Sequence, residues 1–275
     1  MYARVYVEIT NICNLSCSFC HGCNRPPRRM SREEFSLVLD RLAGHTRYLY
    51  YHLMGEPLTH PELPEFLRMA AQRGYLSILT TNGTLLPTRG NALLECPVHK
   101  VNISVHSFEN GTEEECFRYL SGIAAFASEA TRRGTIVCLR LWNRGHDGGR
   151  NEVILEQLRT LFPEPWTENT RGYRLGERLF LEWGDRFEWP DKNAPVQSES
   201  VDCYGLKNQF GILCDGTVVP CCLDSDGGIS LGNIFLQDAQ DILSSPRAKA
   251  MAEGFRRRTP TEDLCRRCGY AKKFD

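Results

Sequence analysis

From residue 4 onward the sequence switches repeatedly between two hydrophobic periods. Val5, Val7 and Ile9 alternate with polar residues across 4–10, the period-two pattern of a strand. After a loop, Ser31 stands three residues before Glu34 as a capping box, and Phe35, Val38, Leu39 and Leu42 then recur at helical spacing up to Gly44. The same order returns: a strand at 48–53, a helix at 61–73 with Leu63, Phe66, Leu67 and Ala70 on one face, and a strand at 76–81. A short helix at 87–94, a strand at 101–105 and a long helix opened by Thr112 and Glu115 continue the series to Gly134. A strand at 135–141, a helix at 151–161 and an apolar segment at 178–183 form a sixth unit, with 162–176 read as irregular. Strands alternating with helices of this length build right-handed parallel units. Six units, against the eight of a full barrel, predict an α/β fold: a partial (β/α)6 barrel with its chemistry at the C-terminal ends of the strands.

The pattern changes within 189–200, where Pro190 and Pro195 lie among Ser, Asn and Asp, so domains at 1–195 and 196–275 are expected. In the second, apolar segments at 210–213 and 218–219 flank Asp215-Gly216, a hairpin signal, and a helix is expected from Asn233 to about Phe255. Charge is balanced, 33 Lys plus Arg against 34 Asp plus Glu, which gives no overall basic field for nucleic acid. No apolar run approaches the ~20 residues of a membrane helix, and residues 1–10 lack a signal-peptide pattern. A cytoplasmic protein with no membrane partner is expected.

The chain holds 13 cysteines, an odd number, which suits thiolates kept for metal better than disulfides. Cys13, Cys17 and Cys20 follow the first strand as C-x3-C-x2-C. Three thiolates can hold three irons of a cubane cluster and leave one iron open, the vacancy that activation of a bound molecule requires. A zinc knuckle completed by Cys23 is the structural alternative. The triplet, with Phe19 before its last cysteine, resembles the motif of the radical SAM superfamily. That resemblance implies a 4Fe-4S cluster with an open iron that chelates S-adenosylmethionine (SAM), whose reductive cleavage gives a 5'-deoxyadenosyl radical that abstracts hydrogen from substrate. It further implies that Gly55 and Glu56, in Met54-Gly55-Glu56-Pro57, contact the methionine amino group, although Met54 departs from the family's first glycine. Asn82 in Thr81-Asn82-Gly83, Ser104 near the ribose and Arg140 near the carboxylate complete the expected SAM contacts, with Phe19 beside the cluster. Segment 181–185 is expected at the adenine or substrate pocket.

Cys203, Gly216 and Cys221 form C-x12-G-x4-C, and Cys265 and Cys268 a C-x2-C pair. This resembles the SPASM extension in its shortened "twitch" form and implies one auxiliary 4Fe-4S cluster held by Cys203, Cys221, Cys265 and Cys268. Only seven residues follow Cys268, so a second auxiliary cluster is not expected. A zinc ribbon is again the alternative. Cys23, Cys96, Cys116, Cys138, Cys214 and Cys222 are read as buried non-ligands, with Cys222 on the strand face opposite Cys221. Arg25, Arg28 and Arg29 are read as a solvated basic edge, and none of His52, His60 and His106 as a ligand.

The reading is a radical SAM enzyme performing a net oxidation with help from the auxiliary cluster. A peptide- or protein-modifying maturase and a non-catalytic zinc protein are its rivals. No acid–base catalyst is assigned, because hydrogen-atom abstraction needs no distinctive pair. The resemblance implies an electron donor such as flavodoxin or ferredoxin. One strand precedes Cys13, which favours a small-molecule substrate, or one delivered by a partner, over a peptide held by an N-terminal recognition domain.

Overall fold

The computed structural model describes residues 1–270. Strands β1 (Arg4–Val7), β2 (Tyr48–Tyr51), β3 (Leu76–Thr81), β4 (Lys100–Ser104) and β5 (Ile136–Arg144) pair in parallel, each with the next. Helices α1 (Arg32–Arg41), α2 (Leu63–Gln72), α3 (Leu86–Leu94) and α4 (Glu113–Arg132) cross between them, and α5 (Arg150–Leu161) follows β5. Ser31 and Thr112 each close a reciprocal capping box with the glutamate three residues on, so the two signals seen in sequence do fix where α1 and α4 begin.

Segment 162–176 is not irregular throughout. It folds into an antiparallel hairpin of β6 (Thr167–Asn169) and β7 (Gly172–Arg174), and β7 pairs antiparallel with β8 (Leu179–Asp185), the sixth parallel strand. The strands are only three residues long and β6 is exposed throughout, so no apolar alternation marks them. Past residue 200, β9 (Gln209–Ile212), β10 (Thr217–Val219) and β11 (Gly232–Asn233) form an antiparallel run. Gly216 turns the first hairpin at φ +84°, and a Cβ there would lie 2.6 Å from Asn233 and Phe235 side-chain atoms. The expected helix to Phe255 is two helices, α6 (Ala239–Leu243) and α7 (Pro246–Arg256), because Ser245 caps the second and Pro246 occupies its first turn. A short α8 (Asp263–Arg266) carries Cys265.

The decisive pairing is between β9 and β1, which lie in parallel with Arg4 opposite Gln209 and Val7 opposite Ile212. It extends a single open sheet of order β11-β10-β9-β1-β2-β3-β4-β5-β8-β7-β6 among the described residues. The architecture is therefore α/β with a mostly parallel, unclosed sheet, as a partial barrel requires. Val5, Val7, Leu49, Leu79, Val101, Ile103, Val137 and Leu139, at most 1% exposed, alternate with residues of the other face and form the helix-covered core. Phe35 of α1 and Phe66 of α2 stack in that core with ring centroids 4.3 Å apart.

Candidate active site

The uncovered face of the sheet carries the intervening residues, and its strand register lines them up. Tyr6 sits opposite Tyr50, Thr80 opposite Asn102, and Arg140 opposite both Ser104 and Glu182. All of them line one cavity of about 1150 Å³. Nine of the 13 cysteines line the same cavity, including all seven expected ligands. No cysteine is in a disulfide.

Residues 13–20 leave the C-terminal end of β1 as a loop whose neck is closed by backbone and polar side chains. Thr10 Oγ1 donates to Arg28 O (3.0 Å), Asn11 Nδ2 donates to Pro26 O (2.9 Å), and Asn11 Oδ1 accepts from Arg28 N (2.7 Å). Within the loop Cys20 N donates to Cys17 O (3.1 Å). Trp189 Nε1 donates to Phe19 O (2.9 Å), and Glu109 accepts from Ser18 N (2.6 Å), so the loop is held from two further segments. The Phe19 ring packs on His106 at 4.8 Å, and His106 contacts Arg140 O through Nδ1 (2.9 Å). Burial raises the Cys13 thiol and pushes Cys17 up to about 11, and neighbouring Cys20 opposes ionisation of both.

The turn after β2 is pressed onto this loop. Gly55 has φ +76°, and a Cβ there would fall 2.4 Å from Thr10 O, so only glycine fits. Glu56 N donates to Ile12 O (2.9 Å). The Glu56 carboxylate lies behind the turn, 1% exposed, and accepts from Leu58 N (3.0 Å) through Oε1 and from Asn82 N (2.7 Å) through Oε2. Burial raises it to about 7 against the pull of those hydrogen bonds. Asn82 is also turned inward: its Nδ2 donates to Asn14 Oδ1 (3.0 Å), which fixes the residue after Cys13. Of the six expected SAM contacts, Phe19, Gly55, Ser104 and Arg140 line the cavity, whereas Glu56 and Asn82 brace the turns around it.

Deeper in the cavity, polar atoms wait without partners. Arg140 lies 4.3 Å over the Trp142 ring, and its Nε, Asn102 Oδ1 and His52 Nδ1 are buried with no hydrogen bond. Burial, then the charge of Arg140, hold His52 down near 3, so its ring is neutral. Trp183 and Glu182 of the sixth parallel strand are also lining residues.

The second cysteine group closes the side of the cavity next to β1. Burial pushes Cys203 up to about 11 and raises Cys221 and Cys265, and each thiol is raised further by others of the set: Cys203 by Cys268, Cys221 by Cys203 and Cys265, and Cys265 by Cys203 and Cys268. Four crowded thiols that repel one another's charge suit a cationic centre, whose binding drives off their protons. The donor chemistry of both groups therefore fits iron. No three His, Cys, Asp or Glu side chains among the described residues are disposed around a single ion. Cys222 is not turned away, because 220–222 has left the strand: it lines the cavity, lies near Cys203, Cys221 and Cys268, and packs against the cluster of Tyr6, Leu53, Leu213 and Val219. Cys23 also lines the cavity and Cys96 is half-buried, so only Cys116, Cys138 and Cys214 are the buried residues expected.

The basic edge is corrected in part: Arg29 is exposed as expected, but Arg25 and Arg28 are tied into the structure. Arg25 is half-buried against the fully buried Glu8, both Glu8 oxygens accepting from its Nη2 at 2.7 Å, and Arg28 donates through Nε to Cys214 O (2.8 Å). Sequence gives little sign of this, since Glu8 looks like the polar half of an alternating strand.

Residues 7–135 match the family model of the radical SAM superfamily, and residues 203–269 match SPASM, an iron-sulfur cluster-binding domain. A GTP 3',8-cyclase of Microcystis aeruginosa is 30% identical over 299 aligned positions, covering 90% of this chain and 89% of that protein. A GTP 3',8-cyclase of Chlorobaculum tepidum is 34% identical over 109 residues, covering 38% of this chain but only 33% of its own length. Among solved structures, BtrN in complex with AdoMet and 2-DOIA superposes with a TM-score of 0.59 at 16% identity, covering 98% of this chain and 93% of that one, a likeness of fold. No helix among the described residues is long and apolar enough to cross a membrane.

Proposed function

Because this chain belongs to the radical SAM superfamily and carries a SPASM iron-sulfur domain, we propose that it cleaves SAM reductively and oxidises a small polar substrate inside the partial barrel. Cys13, Cys17 and Cys20 would hold a 4Fe-4S cluster with one open iron, and Cys203, Cys221, Cys265 and Cys268 a closed auxiliary 4Fe-4S cluster. When bound, the first cluster and SAM supply a 5'-deoxyadenosyl radical that removes a hydrogen atom from substrate. A division into a core of 1–195 and a cluster domain of 196–275 accords with the two family matches.

The chain's own residues orient the reactants. The Gly55 turn offers bare backbone beside Cys13, Phe19 and Ser104 border the space for the nucleoside, and Arg140 supplies a fixed cation for a carboxylate. Glu56 and Asn82 serve SAM indirectly, by holding the turns that touch it. The observation that carries the reading is the cavity shared by both cysteine groups, with unpartnered buried atoms of His52, Asn102 and Arg140 among its lining residues. Polar atoms left buried in this way are satisfied by a ligand bearing hydrogen-bonding groups.

Anaerobic reconstitution with iron and sulfide tests it. About eight irons per chain are expected for two 4Fe-4S clusters, with 5'-deoxyadenosine formed from SAM under reduced flavodoxin or dithionite. Cys13→Ala removes that product. A colourless chain with stoichiometric zinc, or cleavage that persists in Cys13→Ala, refutes the assignment. The Microcystis relative carries the name of a GTP cyclase, so GTP is the first substrate to try. A GTP-dependent rise in 5'-deoxyadenosine supports nucleotide chemistry, and its absence directs the search to other small molecules or peptides.

A further inference from the structure

Glu8, the residue directly after β1, is fully buried, yet its carboxylate gathers four hydrogen bonds from three separate segments. Arg25 Nη2, from the returning arm of the first cysteine loop, donates to both oxygens at 2.7 Å. Met54 N, at the entry to the Gly55 turn, donates to Oε2 at 3.1 Å, and Cys214 N, at the tip of the β9–β10 hairpin, donates to Oε1 at 3.1 Å. Arg25 in turn gives its Nε to Ser225 O (2.8 Å), and next to it His21 Nε2 meets Ser225 Oγ (2.7 Å) while Asn24 Nδ2 donates to Asp226 Oδ2 (3.0 Å).

We propose that Glu8 and Arg25 are positioning residues that lock the loop of the first cysteine triplet and the Gly55 turn to the C-terminal cysteine domain, so that SAM binding depends on contacts made by the auxiliary domain. The inference rests on the proposed SAM site but uses two residues outside its expected cluster and SAM ligands, of which Arg25 lines the edge of the shared cavity. The physical basis is the carboxylate's saturation. A buried carboxylate is held only by its donors, and these three donor nitrogens come from separate pieces of chain, the farthest 206 residues from Glu8. If Arg25 is removed, the charge on Glu8 has no counterion, and Met54 N and Cys214 N lose the acceptor geometry that holds both turns. If the 213–226 segment is loosened, Arg25 loses Ser225 O and the cysteine loop is freed on that side.

The test uses the reconstituted holoprotein of the wild type, Arg25→Ala, Arg25→Lys and the apolar pair Glu8→Leu/Arg25→Met, with two readouts. Amide hydrogen exchange reports Met54 and Cys214 directly and is independent of SAM. SAM affinity, with the SAM-induced change in the electron paramagnetic resonance of the reduced first cluster, reports the site. Arg25→Ala is expected to speed exchange at both amides and at 13–28, to weaken SAM by roughly tenfold or more, and to retain the auxiliary cluster's iron, with partial rescue in Arg25→Lys. The apolar pair is expected to fold and still bind SAM weakly, because it removes the buried charge without restoring the lock. Wild-type SAM affinity and resonance in either Arg25→Ala or the apolar pair overturns the proposal, including the case in which exchange alone changes. A wild-type protein whose cluster ignores SAM refutes the site assignment and, with it, the coupling to SAM, while the exchange data still report whether the junction holds the two amides.

Discussion

Glu56→Gln separates a carboxylate that braces a turn from one that carries a charge toward a ligand. Glutamine keeps the shape and one carbonyl oxygen, but its NH2 cannot accept from a backbone amide, so either Leu58 N or Asn82 N is left without its partner. An orphaned buried donor costs about 1–3 kcal/mol. Against this stands the proton linkage of the wild type. Burial raises the Glu56 carboxyl to about 7, whereas in the unfolded chain it titrates near the ordinary 4.5. Between those values the folded state keeps a proton that the unfolded state has released, so stability falls as pH rises through the window and is constant on either side of it. At about 1.4 kcal/mol for each pH unit, the loss from pH 4.5 to pH 7 amounts to about 3 kcal/mol. The amide of the variant has no such titration. The variant is therefore expected to melt below wild type at pH 5, by several degrees at roughly 2–4 °C per kcal/mol for a chain of this size, and to draw level with it or pass it at pH 8. Apparent Tm of the two reconstituted proteins across pH 5–8 reads the difference directly, since acid effects on the clusters are common to both. A gap between them that stays constant over that range refutes the reasoning.

Three further perturbations follow from the same geometry. Gly55→Ala places a methyl against Thr10 O at a backbone angle of +76°, and should abolish SAM binding while leaving the auxiliary iron, as read by iron analysis and SAM titration. Cys265→Ala with Cys268→Ala should lower total iron by about half, and unchanged iron removes both residues from the ligand set. Phe35→Ala deletes a fully buried ring stacked on Phe66 and should cost about 3–5 kcal/mol, measured by denaturant midpoint, with little change in the affinity of the surviving folded protein for SAM.

Much of the fold was legible because it is built from local periods. The parallel strands and their helices appear within a few residues of the positions read from alternation and helical spacing, and the capping residues Ser31 and Thr112 mark their helices by a bond that spans three residues. The β6–β7 hairpin was not legible, since strands of three residues, one of them exposed throughout, carry no apolar alternation. The break between α6 and α7 was present in Ser245-Pro246 but was outweighed by the apolar periodicity around it. In the site, cysteine spacing picks out the thiols that share the cavity, but strand alternation gives the wrong face for Cys222, which lies beyond the end of β10.

The sequence by itself determined the parallel α/β units, the triplet at the end of β1 and the family to which the chain belongs, all of which are written in residues close together along the chain. Only the tertiary structure decided that β9 pairs with β1, that two cysteine groups far apart along the chain face one cavity, and that the half-buried Arg25 pairs with the buried Glu8 between them. Such pairings depend on which distant segments meet when the shared core is packed. A local pattern shows only that a strand has a polar face, and the partner that makes Glu8 a junction arrives from loops that carry no period at all.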